Sequence, residues 1–235
     1  MPRKKKPSSA AMPTRSDTNL SALPARFAIG DTEIRPLQLF VNTERHPTEP
    51  GPWDAEPDKI AWVDPRTGRD CILLRQFGGE WGGFVAVDPI HPLWGFSADA
   101  IPASAGLVVH GPIDYAAPCE DDGDPEFSVC HLASGHPNAV HRKGPRSSST
   151  SGDVDRTNWW FGFSADRPGD YVPNRHRPLD REEGQTYRDI DYMFGEVTIL
   201  AAQLDALEHN HGGSLSTPLI QPPVRKLCHK GGENG

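Results

Sequence analysis

Two stretches of the chain bring together side chains able to do chemistry. The first holds His110, Cys119, Cys130 and His131, drawn from two extended apolar runs on either side of an acidic turn. Cys and His sets of this kind can hold Zn²⁺ tetrahedrally. The spacing is not that of a zinc motif, because neither Cys-x-x-Cys nor His-x-x-x-His occurs. Cys130 and His131 are adjacent, so within a strand they point to opposite faces and at most one of them can join His110. A buried strand Cys is a small hydrophobe. The expectation is therefore no cofactor, with zinc on His110, Cys119 and His131 as the alternative. The second stretch is "NWWFGFSADRPGDY", Asn158–Tyr171. Arg167 offers a planar fork for carboxylate or phosphate. Asp166, Asp170 and Tyr171 lie beside it at the end of an aromatic strand. The plain reading is a turn with an exposed ion pair, worth little energetically. No residue is assigned a catalytic role; the alternative pairs His110 with Asp170. The expected binding set is Trp159, Trp160, Arg167, Asp170 and Tyr171, the two tryptophans splitting between core and outward face.

Other candidates fall away. Asp121, Asp122, Asp124 and Glu126 surround Gly123 but cannot be laid out as a twelve-residue calcium loop. They read as a solvated turn. There is no glycine-rich dinucleotide fingerprint, phosphate loop or nucleophile elbow. "HNH" at 209–211 lacks the strand–helix setting that a metal nuclease needs.

These residues need elements to position them. "KIAWV" and "CILLRQF" flank "DPRTGRD", an Asp-Pro turn with a glycine near its end, and read as a hairpin. "FVAVD" follows, then "GLVVHGPIDYA", "EFSVCHLA" and "NWWFGF" as further strands. Apolar residues at Tyr187, Ile190, Phe194, Val197, Ala201 and Leu204 recur at three- and four-residue spacing, predicting a helix over Thr186–Leu207 capped by Thr186. Strands followed by one long amphipathic helix give an α+β fold. An antiparallel sheet of five to six strands carries that helix on one face. The predicted division is a disordered basic leader at 1–26 and an irregular or uncertain segment at 27–58, in which "IRPLQLFV" (Ile34–Val41) reads as either a short strand or a helix turn. A single domain at 59–208 follows, with a disordered insert at 134–157, and a disordered tail at 209–235.

Residues 59–207 also resemble, in the order and spacing of their blocks, a family of small uncharacterised proteins of bacteriophage and prophage genomes. The blocks are "WVDPRTGRDCILLR", "GGFVAVDPIHPLWG", "VVHGPIDYAAPC", "VCHLA", "NWWFGFSADRPGDYVP" and "TYRDIDYMFGEVTILAAQL". The family shows a His-Gly-Gly strand, an aromatic strand ending in a Gly-Phe-Asp-Cys-Ala-His-Ala-Gly-Asp type run, and a closing Tyr-Arg-Asp helix. The resemblance implies no activity, since the family has no established one. Its Asp-Cys-Ala-His run is site-like, and here those Asp, Cys and His positions hold Ser164, Ala165 and Arg167. Gly169 and Asp170 survive, and Pro112 replaces the second glycine after His110. Arg stays protonated and can neither ligate zinc nor act as a base.

Charge narrows the partners. The net charge is −8. Residues 1–26 carry six basic residues against Asp17, so the acidic excess lies entirely in the body. An acidic body repels phosphates, which argues against nucleic acid. No run of 18 apolar residues predicts a membrane span. The opening "MPRKKKPSSAAMPTRS" has no apolar segment behind its charges, so a cytoplasmic location in the bacterial host is expected. Two readings follow. One is a noncatalytic accessory protein of phage or prophage origin that binds another protein. The other is a small metal-assisted hydrolase using His110, Cys119, His131 and Asp170.

Overall fold

The computed structural model describes residues 23–118, 124–129, 158–174 and 184–212. The chain is α+β. Among the described residues, eight strands lead to one long helix: β1 (Phe27–Ile29), β2 (Thr32–Ile34), β3 (Gln38–Phe40), β4 (Lys59–Val63), β5 (Asp70–Arg75), β6 (Trp81–Val87), β7 (Tyr115–Pro118), β8 (Trp159–Ser164) and α1 (Ile190–Gly212). β1 and β2 form a small hairpin; the others form one antiparallel sheet in the order β3-β4-β5-β6-β8-β7. No helix among the described residues is long and apolar enough to cross a membrane.

Period-two alternation sorts the strand side chains into two cores. Ile60, Trp62, Cys71, Leu73, Trp81, Val85, Val87, Trp159, Phe161 and Phe163 face α1, which answers with Met193, Val197, Leu200, Ala201 and Leu204. Fully burying each of the larger aliphatic side chains contributes roughly 1.5–3 kcal/mol, so the helix is held by packing rather than propensity. Gly83 brings α1 this close: a Cβ there would lie 2.5 Å from Val197 Cγ2. On the other face sit Ala61, Ile72, Leu74, Phe84, Ala86 and Trp160. The Phe84 ring covers Gly162 across the β6–β8 pairing, where any side chain would collide with it.

Several expectations are corrected. The uncertain segment at 27–58 supplies β1–β3; β3 falls within Ile34–Val41 and pairs with β4 through Leu39 opposite Ile60. Strands of three residues are too short to show alternation in the sequence. The helix begins at Ile190 rather than Thr186. Thr186 instead bridges in parallel to Asp170, and Asp189 caps the helix, its Oδ1 accepting from the Tyr192 N–H at 2.9 Å. Of "GLVVHGPIDYA" only the end is strand, because residues 107–111 lie along α1. There the Gln203 side-chain amide takes both the N–H and the C=O of Val108, at 2.9 and 2.8 Å. Asp124 opens a turn, its C=O accepting from the N–H groups of Phe127 and Ser128. Cys119, Asp121, Asp122, Cys130, His131, the insert 134–157 and the residues beyond 212 lie outside the described residues.

Candidate functional site

Three segments converge on one buried carboxylate, that of Asp170. It follows the end of β8 in a tight turn: the Asp170 N–H donates to the Arg167 C=O at 2.8 Å, and Oδ2 accepts from the Arg167 N–H at 3.0 Å. The segment lying along α1 brings His110, whose Nε2 is 2.6 Å from Asp170 Oδ2. The approach to the helix brings Arg188, whose Nε donates to Asp170 Oδ1 at 2.8 Å. Two backbone bonds between Gly169–Tyr171 and Thr186 fix that approach. Burial opposes ionisation of Asp170, but the donors Arg188, His110 and the Arg167 N–H outweigh it and hold the carboxyl below its ordinary range.

The other nitrogen of His110, Nδ1, is 2.9 Å from the hydroxyl of Tyr192 in the first turn of α1. An ionised Asp170 only accepts, so Nε2 carries a proton toward it, and the Tyr192 hydroxyl partners Nδ1. The order is hydroxyl, imidazole, carboxylate. The phenol is not activated, however: burial and the nearby Glu196 raise its pKa. The Arg188 guanidinium lies over the Tyr192 ring at 4.8 Å, and the His110 ring meets it edge-on at 5.4 Å. Gly111 turns the chain out of the site with φ +79, and a Cβ there would come 2.9 Å from Arg167 Nε.

Beside the cluster, Ser164 and Arg167 share a different partner, Asp114. The Ser164 hydroxyl and N–H donate to Asp114 Oδ2 at 2.6 and 3.1 Å, and Arg167 pairs with the same oxygen. Ala165 is buried in the helix-facing core. Ser164 and Arg167 thus act as donors that close on Asp114.

A second cluster centres on the buried side chains of Arg75, Asp58 and Glu56. Arg75 at the end of β5 donates to Asp58 Oδ1 at 2.8 Å, Glu56 Oε2 at 2.8 Å and the Gly79 C=O at 2.7 Å, and lies over the Trp81 ring. Glu56 Oε2 also accepts from Trp81 Nε1 at 3.1 Å and from the Tyr187 hydroxyl at 2.5 Å. Its Oε1 receives the Ile190 N–H, the first of the helix, at 2.9 Å. Burial, with Glu56 adding to it, raises the Tyr187 phenol pKa.

Of the expected binding residues, Trp159 and Trp160 are both inside, on opposite sheet faces, so neither is an exposed contact. Trp159 Nε1 is satisfied by the Phe96 C=O at 2.9 Å. Tyr171 stacks on Trp53 at 5.9 Å. His110 and Asp170 touch, although 60 residues separate them. Sequence reasoning missed Tyr192, Arg188, Asp114 and the Glu56–Arg75 core. Only the Tyr-Arg-Asp run pointed toward two of its members. Cys119 and His131, the other residues of the zinc alternative, lie outside the described residues. Among the described residues no group of three or more His, Cys, Asp or Glu side chains is placed to hold a metal ion. For His110 to ligate one it would have to release Asp170 or Tyr192. Comparison with protein-family models, curated proteins and solved structures returned no match.

Proposed function

We propose that this chain is a noncatalytic accessory protein of phage or prophage origin that acts in the host cytoplasm by binding another protein. The supporting observation is that the cluster is closed on itself. Both Asp170 oxygens are taken by donors of this chain, both His110 nitrogens have partners, and Ser164 and Arg167 are spent on Asp114. Such a cluster works as a clamp that holds residues 107–111 against α1. The clamp presents a surface rather than a reactive atom. His110 and Val108 are fixed to helix positions 192 and 203, and Ile199 lies between those positions on the same helix face. Val108 is 70% exposed, Ile199 45% and Tyr192 37%. Contiguous exposed apolar side chains rimmed by polar groups are what a protein partner covers.

The test is affinity capture from producing cells with the parent chain and with Val108→Asp/Ile199→Asp, followed by reconstitution from purified components. The expected result is one partner that rebinds the parent chain and not the variant. Equal binding by both, or no partner that can be reconstituted, contradicts this surface. The metal-assisted hydrolase on His110 and Asp170, with zinc, is the second reading. It draws on the direct His110–Asp170 contact, which in a hydrolase would orient the imidazole.

A further inference from the structure

A second polar feature lies at the other end of the sheet. α1 starts beside Arg75 and Trp81, where Glu56 holds its first N–H, and its last turns reach the β4–β5 turn through Arg69. There Arg69 pairs with Glu208 at 2.5 Å and approaches Asp205 at 3.8 Å. An open cleft of ≈440 Å³ runs past these groups and past Asp70, Asp88 and His209. Its four carboxylates face one arginine, whose charge is already shared by Glu208 and Asp205. His209 sits 3.4 Å from Asp205.

Neither Asp70 nor Asp88 forms an ion pair among the described residues, although Asp88 Oδ1 accepts from the Ile90 N–H at 3.0 Å. Cys71 stands opposite Val85, which sets Asp70 beside Ala86, and alternation puts Asp70, Ala86 and Asp88 on one face. Val87 opposite Trp159 sets Asn158 beside Asp88. All four residues line the cleft. Asp70 is only 3% exposed, yet its Oδ1 has no hydrogen-bond partner among the described residues. A buried carboxylate oxygen without a donor is costly, and in a native protein it points to a group that binds there.

We infer that this cleft binds a small organic cation, an ammonium or guanidinium group whose N–H donors satisfy Asp70 and Asp88 beside the Asn158 amide. A metal ion fits less well, since the carboxylates do not converge into a ligand set. The site is independent of the protein-binding surface, which lies on the outward face of α1.

Isothermal titration calorimetry of the full chain with agmatine, which carries both cationic groups, tests this, with sodium acetate as the anionic comparison. Saturable one-to-one binding of agmatine and none of acetate is expected. Asp70→Asn and Asp88→Asn should each weaken it by at least about tenfold, while Arg26→Ala, in a remote exposed ion pair, leaves it unchanged. Asp88 is exposed, so Asp88→Asn keeps the test decisive if Asp70→Asn alters folding. Absence of saturation up to about 10 mM, or binding undiminished in Asp88→Asn, overturns the inference.

Discussion

Tyr187 and Arg188 are chain neighbours whose side chains serve opposite networks. The Tyr187 hydroxyl reaches inward to Glu56 at 2.5 Å, and Arg188 Nε reaches to Asp170 at 2.8 Å. The helix entry is thereby bolted to the buried Glu56–Arg75 core on one side and to the His110–Asp170 cluster on the other. Asp189, the next residue, caps the helix. Three consecutive side chains thus fix where α1 starts and, through Tyr192, where His110 sits.

Asp170→Asn should cost about 3 kcal/mol at pH 7, because it leaves His110 and Arg188 without their charged acceptor. The Asp170 carboxyl is held below its ordinary range in the fold. Its contribution is therefore complete above the unfolded-chain value and is lost as pH falls from about 4 through the folded value. Urea denaturation from pH 7 to pH 2 should show this loss in the parent chain and a flatter acid limb in the variant.

Glu56→Gln should be more damaging, by roughly 3–5 kcal/mol, since it uncouples a fully buried arginine and weakens the acceptor for Trp81, Tyr187 and Ile190. Hydrogen exchange should show the Ile190–Met193 amides losing protection before those of Leu200–Leu204. Uniform loss along α1 would mean that Glu56 does not anchor the helix start.

Asp70→Asn should have the opposite sign. Burial raises the Asp70 pKa to about 6, so the folded chain binds a proton that the unfolded chain has released, and stability falls as pH rises from about 4 to about 6. Above that window the variant should be more stable by up to about 3 kcal/mol. Denaturation midpoints at pH 4 and pH 7.5 check this.

Lys59 gives a second pH signal. Burial, reinforced by Arg45, lowers its pKa to about 7 despite Asp124, and its Nζ donates to the Pro125 C=O at 2.5 Å. Between pH 7 and pH 9 the unfolded chain holds a proton that the folded one has shed, so stability should rise by up to about 1.4 kcal/mol per pH unit. Lys59→Met should remove the rise. A parent profile that is flat or falling over this interval would contradict a buried amine here.

Much of this was readable in the residues. Apolar runs with turn residues between them located β4, β5, β6 and β8, and the three-and-four spacing from Ile190 to Leu204 located α1. His110 and Asp170 could be nominated together because both are polar residues set beside aromatic or apolar strand sequence. Other parts left no trace. β1 and β2 are three residues each, too short for alternation, and β3 was readable only as strand or helix turn. Thr186 has the composition of a cap, but its backbone is taken by Gly169 and Tyr171, so the helix waits for Asp189. Trp159 and Trp160 split by face as alternation requires, but both faces are covered, and this depends on tertiary packing. Tyr192 is one tyrosine on an exposed helix position. Only the fold shows that His110 lies beneath it.

The proposed function treats the His110–Asp170–Tyr192 cluster as a closed clamp rather than a metal or catalytic centre. Metal analysis of the full chain, purified without chelator in the presence of zinc, tests it most directly, together with denaturation before and after chelation. Less than stoichiometric zinc is expected, with a denaturation midpoint that chelator does not move. Stoichiometric zinc that is retained by the parent chain, is lost in His110→Ala and stabilises the fold would contradict the proposed function.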